Sequence, residues 1–335
     1  MVKLTIKEIA EMAGVSRTTV SFVLNNKHGI SEETRKKVID VIKQTNYIPN
    51  VNSRRLILKK SFNINVAVKQ NASPFNNLFY MEVTKGIVNK SEEFGYSIVF
   101  SNISDSIHSS SLYHAMTQKN TDGIIFLQDV NSSVLQEVER NGIPYVVVDT
   151  HRIHPNYICV RGDYELSSYT AVNYLIKKGH RDIAFIGMGA ISEFYLSTFN
   201  GYKKALSNAN ISFIPDWVQS DATNEETGYK CMESIIRSSK LPTAVYCAGD
   251  ILAIGAMKCA KYYNYNIPND ISFFGLDDIL LSKYIEPSLS TIRIDEEEMG
   301  NKAVDLLVKL INKENCSSYT VVSDKIIERD SVREI

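Results

Sequence analysis

The chain has 335 residues, of which 44% are hydrophobic and 22% are charged, as is usual for soluble globular proteins. This length suits a small domain followed by one or two domains of ordinary size. No apolar run is long enough to span a membrane, and the charged N-terminus lacks the apolar segment of a signal peptide, so we expect no membrane partner. The five cysteines are scattered without a CxxC pair, which favours reduced thiols and a cytoplasmic location.

The net charge of −1 hides an uneven distribution along the chain. Residues 1–60 contain twelve Lys or Arg against five Asp or Glu, whereas the remaining residues contain 25 basic and 33 acidic side chains. A basic head on an acidic body suggests that the head meets a polyanion such as nucleic acid. A solvated charged surface is the alternative that charge alone leaves open.

Three short helices are predicted in residues 1–48. Thr5 and Glu8 have the spacing of a capping box, and apolar residues follow at helical intervals up to Ala13. Gly14 should end this first helix. Ser31 should cap the third helix, with Glu32 and Glu33 at its positive end.

The second predicted helix runs from Arg17 to about Asn25 and has two unlike faces. Val20, Val23 and Leu24 form an apolar stripe. The opposite face carries one cation and several short donors and acceptors, with no acid among them: Ser16, Arg17, Thr18, Thr19, Ser21 and Asn25. Such a face is suited to a polar partner and not to a core.

Residues 49–61 are polar and basic, with enough apolar content for one short helix but not for a core, so we interpret them as a linker. From residue 62 the pattern changes to apolar strands alternating with helices, which predicts parallel sheets covered on both faces. The predicted strands are 64–70, 96–101, 123–127, 145–149, 183–187, 243–249 and 271–277. Seven strands over about 215 residues favour two similar α/β lobes, with the segments 288–294 and 319–329 completing the sheets or crossing between the lobes.

The whole chain resembles the LacI/GalR family of bacterial transcription regulators. The resemblance rests on TIKEIAEMAGVSRTTVSFVLNN, ISEETRKKV and NYIP in the head, and on TDGIIF, YLIKKGHRDIAFIG, PTAVYCAGDILAIGAM, IPNDISFFGLDD and PSLSTIRID in the body. It implies an all-α helix-turn-helix head (1–48), a hinge (49–61) and a two-lobed α/β core (62–335) like periplasmic binding proteins. We expect a first lobe of 62–161 and 291–321 and a second of 162–290 and 322–335.

The resemblance implies that the polar face of the second helix lies in the major groove of operator DNA. Arg17 and Thr18 are then the base readers, since an arginine forks onto guanine and a threonine methyl packs on thymine. A phosphate contact is the alternative for Arg17. Phe22 stands where many family members have arginine. The other residues expected at DNA are Thr5, Ser16, Thr19, Ser21, Asn25, Ser31, Thr34, Tyr47 and Asn50, together with Ser53 and the minor-groove wedge Leu56 in the hinge.

The same resemblance places a small-molecule effector between the lobes, at the carboxyl ends of the strands. The residues implied there are Phe79, Tyr80, Asp149, Thr198, Asp250 and Asp277. Each aspartate has a structural alternative as a helix cap or an interlobe hydrogen-bond acceptor. Thr198 and Gly249 stand where the family usually has an effector-gripping arginine and an asparagine, so we expect a neutral or donor-rich effector, such as a sugar held by carboxylates, and not a sugar phosphate or sugar acid.

We therefore expect a sequence-specific DNA-binding regulator, with repression as its mode, that acts as a homodimer and responds to a small molecule. A protein corepressor is a further partner that part of the family uses. An exported solute-binding protein would share the core but needs a signal peptide and no basic head. An enzyme is disfavoured because no GxSxG, P-loop, dinucleotide fingerprint or metal-spaced histidine cluster is present, and we expect no cofactor and no metal.

Overall fold

The computed structural model describes residues 4–24, 29–45, 47, 60–69, 75, 77–104, 107–150, 158–189 and 192–335. The chain divides into two compact units, Met1–Lys60 and Ser61–Ile335. Of the predicted hinge, only the last two residues fall within the described ranges. In those ranges no helix is both long and apolar enough to cross a bilayer.

Within its described residues the first unit contains three helices, α1 (Ile6–Ala13), α2 (Arg17–Leu24) and α3 (Glu32–Thr45), which confirms the predicted all-α head. Its small core consists of the fully or nearly buried side chains of Ile9, Ala10, Val20, Val23 and Val38. All three helices contribute to this core, so the unit fixes the direction in which each helix presents its polar face.

The described part of the second unit forms two six-stranded sheets, as the two-lobed prediction requires. The strands in chain order are β1 (Asn63–Lys69), β2 (Ser97–Ile103), β3 (Gly123–Leu127), β4 (Tyr145–Val148), β5 (Cys159–Arg161), β6 (Ile183–Met188), β7 (Val218–Ala222), β8 (Ala244–Cys247), β9 (Ser272–Asp277), β10 (Ser290–Ile294), β11 (Tyr319–Val321) and β12 (Asp324–Ile327). The first sheet has the order β11-β5-β4-β3-β1-β2, and the second has the order β12-β10-β9-β8-β6-β7. All neighbours are parallel except β10 and β12.

Helices cover both sheets because the strands are apolar on both faces. They are α4 (Leu78–Glu93), α5 (Ser111–Thr117), α6 (Ser132–Arg140), α7 (Tyr164–Lys177), α8 (Glu193–Asn208), α9 (Glu225–Ile236), α10 (Asp250–Tyr262) and α11 (Glu296–Ile311). The pairs α4–α11, α7–α8 and α9–α10 pack side by side. The first of these pairs is very close, since a Cβ at Gly86 would clash with the backbone of Glu297.

The boundary between the lobes differs from the prediction at one strand. We expected residues 291–294 in the first lobe, but β10 pairs in parallel with β9 and antiparallel with β12, so it belongs to the second sheet and that prediction was wrong. The chain crosses to the first lobe only after Ile294, where α11 begins, and returns between β11 and β12. The buried run STIRI is typical of a central strand in either sheet, so its pattern alone could not assign it.

Candidate functional site

The connection between α1 and α2 is a sharp turn centred on Gly14. This residue has φ +67°, in the left-handed region that glycine adopts without strain, and its N–H donates to the carbonyls of Ala10 and Glu11. The N–H of Val15 donates to the carbonyl of Ala10 at 3.0 Å. The chain can therefore leave α1 and enter α2 within a few residues, which is the geometry of a helix-turn-helix.

A serine caps the start of α2. The Oγ of Ser16 accepts the backbone N–H of Thr19 at 3.0 Å, and the two hydroxyls lie 2.9 Å apart. Arg17 and Thr18, the expected base readers, are exposed in the first turn of the helix, whereas Val20 is fully buried. The cap and the core together hold the exposed side chains of this first turn at a fixed orientation toward solvent.

Hydroxyl residues also begin the other two helices of the head. Thr5 and Glu8 form the predicted capping box, and the backbone N–H of Thr5 that donates to the Glu8 carboxylate holds the pKa of Glu8 below its ordinary value. Ser31 accepts the backbone N–H of Thr34 at 3.2 Å. Three capped helix N-termini, each with a partial positive charge, suit an anionic partner.

The remaining residues expected at DNA have mixed positions. Ser21, Phe22 and Thr34 are half-buried, and Tyr47 packs against the head core, where burial raises the pKa of its phenol. Asn25, Asn50, Ser53 and Leu56 lie outside the described residues, so their expected contacts stay predictions.

The second unit contains a cavity of about 460 Å³ at the carboxyl ends of strands from both sheets. In an α/β fold this is the usual place for a ligand, because loops there are free to diverge and present polar groups. The cavity is lined by four aromatic rings, aliphatic side chains, amides and three carboxylates, namely Asn77, Leu78, Phe79, Tyr80, Gln128, Asp149, Tyr164, Met188, Phe194, Thr223, Asn224, Glu225, Ile251, Asp277, Ile279 and Leu281.

Asp149 is the most heavily bonded carboxylate of the cavity. It follows β4, has φ +57° and is nearly buried. The hydroxyls of Tyr80, on α4, and Tyr164, on α7, donate to its two oxygens. Burial and the negative charge of Asp149 raise the pKa of both phenols well above the ordinary value, so both tyrosines stay protonated donors. Since α4 covers the first sheet and α7 begins the second lobe, Asp149 connects the two lobes.

Asp277 ends β9 and lines the cavity from the opposite sheet. Burial raises the pKa of its carboxyl well above the ordinary value, and the nearby charges of Asp250, Glu296 and Asp149 raise it further. A ligand that brings a hydrogen-bond donor or a positive charge would relieve this cost. Phe79, Tyr80, Asp149 and Asp277, four of the six residues expected at the effector, thus meet around one cavity.

Thr198 and Asp250, also expected at the effector, do not line it. Asp250 is fully buried and accepts the backbone N–H of Ile279 at 3.0 Å and the hydroxyls of Ser282 and Thr291, each at 2.6 Å. It ties α10 to the segment after β9 and to β10, which is the structural alternative for this residue. The hydroxyl of Thr198 is likewise buried and donates to the carbonyls of Phe194 and Tyr195 one turn earlier in α8.

Several lining residues were missed by the sequence reasoning. Gln128 directly follows β3, and Asn77 caps α4 after β1, so the rule that ligands meet the carboxyl ends of strands would have selected both. Tyr164 and Phe194, whose ring centroids lie 4.9 Å apart, begin α7 and α8. No motif distinguishes them from core aromatics, and only the folded arrangement brings them to the cavity.

Both units match known families. Residues 5–50 match the family described as bacterial regulatory proteins, lacI family, and residues 172–332 match the periplasmic binding protein-like domain. A relative from Photorhabdus laumondii, named HTH-type transcriptional repressor PurR, is 33% identical over 334 residues, covering 98% of this chain and 96% of that protein. The HTH-type transcriptional regulator MalR of Clostridium butyricum is 32% identical, covering 98% and 99% of the two chains.

Solved structures give the same result. The structure of the transcriptional regulator CelR with cellobiose has a TM-score of 0.73 and 25% identity, and it covers 98% of this chain and 99% of that chain. The lac repressor dimer bound to operator and the anti-inducer ONPF has a TM-score of 0.80 over the same shares, and its 24% identity bears on the fold alone. The chain therefore belongs to the lacI family of bacterial regulatory proteins, and it is a DNA-binding transcriptional regulator whose core binds a small-molecule effector.

Proposed function

We propose that this chain is a repressor that acts in the cytoplasm, binds a near-palindromic operator as a homodimer, and changes its operator affinity when a small molecule enters the core cavity. The observation that carries the proposal is the exposed first turn of α2, with Arg17 and Thr18 held over a fixed three-helix core. That such a head and a strand-end cavity occur in one chain supports coupling between DNA and ligand. We assign no catalytic activity to the chain.

Base reading is assigned to Arg17 and Thr18. Phosphate contacts are assigned to the helix N-termini at Thr5, Ser16 and Ser31, where the capped first turns have a partial positive charge. Thr19 and Thr34 share hydroxyl hydrogen bonds with Ser16 and Ser31, so they orient these groups. In this arrangement phosphates fix the register of the head, and the first turn of α2 reads the sequence.

Two features support a homodimer. A head of this size buries too little surface for tight specific binding by itself, so two heads must be tied together. The second unit also exposes apolar side chains along an edge: Met81 and Val88, seven residues apart on α4, are 43% and 41% exposed, and Val99 and Phe100 on the edge strand β2 are each 38% exposed. An exposed apolar edge of this kind is a ready surface for a second copy.

The cavity supports an effector that is held by both lobes. Asp149 and Gln128 reach it from the first sheet, whereas Met188 and Asp277 reach it from the second. A ligand that contacts both sets favours one angle between the lobes over others, which is how binding energy is turned into a conformational preference. The solved complex of the similar regulator CelR with cellobiose supports a sugar or related metabolite as the effector.

A binding assay with DNA from the region upstream of the chain's own gene, together with selection of fragments from genomic DNA, tests the proposal. We expect the wild type to retain a small set of fragments with two inverted half-sites. A variant outside the head, Asp216→Asn on an exposed turn of the second unit, should retain the same fragments as the wild type. Retention of all DNA to the same extent, or of none, would contradict sequence-specific repression.

A further inference from the structure

The described lining of the cavity is acidic. Asp149, Glu225 and Asp277 contribute carboxylates, and none of the described lining residues is a lysine, arginine or histidine. A phosphate or a carboxylate ligand would meet these charges without a described cation to offset them. The described part of the lining therefore disfavours an anionic ligand.

The carboxylate of Asp149 already has strong donors. It accepts the hydroxyls of Tyr80 and Tyr164, and the guanidinium of Arg161 lies 5.5 Å from the centre of the Tyr164 ring. Arg161 itself is nearly buried and donates to the carbonyl of Gly162 at 3.0 Å. Both oxygens of Asp149 therefore already have hydrogen-bond donors from the protein.

The described cations near Asp277 are committed elsewhere. The guanidinium of Arg293 donates to Asp278 from Nε at 2.6 Å and also from a terminal nitrogen, and Arg329 donates to the other oxygen of Asp278. One buried carboxylate thus binds both Arg293 of β10 and Arg329, which lies two residues after β12. These ion pairs connect the ends of β9, β10 and β12. Both arginines thus bind Asp278 and not the adjacent Asp277.

Asp277 faces the cavity among like charges. Asp250, Glu296 and Asp149 are nearby carboxyl groups that disfavour a negative charge on Asp277, and a backbone hydrogen bond from Asp250 offsets only part of this effect. The ionised form of a carboxyl in this position is stabilised most by a partner that carries a full positive charge. Two aromatic pairs, Phe79–Tyr80 and Tyr164–Phe194, wall the same cavity and present edges and faces that accept a ring or a cation.

We propose that the effector of this chain carries a protonated amino group, which Asp277 binds, on a small ring that packs against the aromatic walls. This inference rests on the proposed function, in which the cavity is the effector site. The chemical class is a monocyclic primary amine, such as an amino sugar or an arylalkylamine, and the cavity of about 460 Å³ accommodates a molecule of that size. The amine distinguishes this ligand from neutral sugars as well as from sugar phosphates.

Matched pairs that differ only in an amino or hydroxyl group test this directly. The probes are D-glucosamine and D-glucose, D-galactosamine and D-galactose, and phenethylamine and 2-phenylethanol, with D-glucose 6-phosphate as the anion. Thermal shift and calorimetry are measured on the full chain without DNA. We expect at least one amine to bind tenfold or more tightly than its hydroxyl partner, and we expect Asp277→Asn to reduce the affinity for that amine at least tenfold.

The control variant is Asp216→Asn, which removes an exposed carboxylate that is not part of the described cavity lining and should leave amine affinity unchanged. Equal or tighter binding of the hydroxyl members, binding of the phosphate, an unchanged affinity in Asp277→Asn, or no stabilisation by any amine at millimolar concentration would each overturn the inference.

DNA retention is measured separately. If a neutral sugar binds and alters DNA retention, the proposed function stands and the amine is wrong, whereas loss of specific DNA retention contradicts the proposed function alone.

Discussion

Arg17 is the exposed cation in the first turn of α2, and its role can be separated from a general electrostatic one. We expect Arg17→Ala to lose preference at one base pair in each half-site, at a cost of roughly 1–3 kcal/mol, because a forked contact to guanine is lost. Arg17→Lys keeps the charge and loses the fork, so it should show the same loss of preference with nearly the wild-type salt dependence. Fragment selection at two salt concentrations measures both. Equal weakening of every sequence by Arg17→Ala would instead make Arg17 a phosphate contact.

Glu296 makes the stability of the second unit depend on pH. Burial, together with the charges of Asp278 and Asp250, raises the pKa of this carboxyl from the ordinary 4.5 to about 8. Between these two pH values Glu296 keeps its proton in the folded state, whereas the unfolded chain releases it. The free energy of unfolding therefore falls as the pH rises from about 5 to about 8.

We expect Glu296→Gln to flatten this fall by on the order of 1 kcal/mol, a figure discounted for the partial exposure of the side chain. Thermal unfolding at pH 5 and pH 8 measures the difference. Glu193→Gln, at the exposed start of α8, is the matched control and should keep the wild-type dependence. An identical pH profile for Glu296→Gln and the wild type would show that Glu296 does not cause the pH dependence of stability.

The position of a residue in the chain can determine its surroundings. Asp149 follows β4 and Asp277 ends β9, and the carboxyl ends of parallel strands meet at one edge, so both line the cavity, whereas their contact with an effector stays a prediction. Asp250 also follows a strand, but its environment depends on hydroxyls 32 and 41 residues away, at Ser282 and Thr291. The sequence does not display these partners, and for this reason the choice between ligand contact and structural acceptor stayed open.

At the scale of the element, the Ser16 cap supports α2, and its contribution to stability can be separated from its effect on DNA. Ser16→Ala removes the acceptor for the Thr19 N–H and should cost about 1 kcal/mol of head stability, with weaker binding to all sequences. Ser16→Asp restores an acceptor but adds a negative charge beside the expected phosphates. We expect it to keep the stability and lose the affinity, whereas Ser16→Thr should keep both. Hydrogen exchange of the α2 amides and a binding titration measure the two effects, and full affinity in Ser16→Asp would place the phosphates elsewhere.

Elements with a strong periodic pattern were predicted well. The helices of the head and the long apolar strands agree with the structure to within a few residues, because their burial requires a continuous stripe or run. β5 has three residues, and β7 reads VQSDA with a mostly half-exposed pattern, so neither carries enough apolar signal to be recognised. Both are held in place by hydrogen bonds to neighbouring strands, which no local pattern contains.

For the whole molecule, the exposed edge formed by α4 and β2 predicts self-association. We expect light scattering to give a dimer at micromolar concentration, and we expect Val88→Glu to shift it to a monomer because a charge is placed in a desolvated interface. Leu196→Glu is the control, since Leu196 is also exposed, at 46%, but lies on α8 of the other lobe. A monomeric wild type, or dissociation by Leu196→Glu alone, would contradict this assignment of the interface.

The two sheets are each built from separated stretches of chain, and this has a consequence for synthesis on the ribosome. The first sheet lacks its edge strand β11, and α4 lacks its packing partner α11, until residues 296–321 have been made. A nascent chain that has emerged only to β9 therefore exposes the face of α4 around Gly86, although all residues of the first compact unit have long been made. For most of translation, a completely synthesised head is thus joined to a core that lacks α11 and β11, and the apolar surface that these elements cover stays open to chaperones and to aggregation until they have been made.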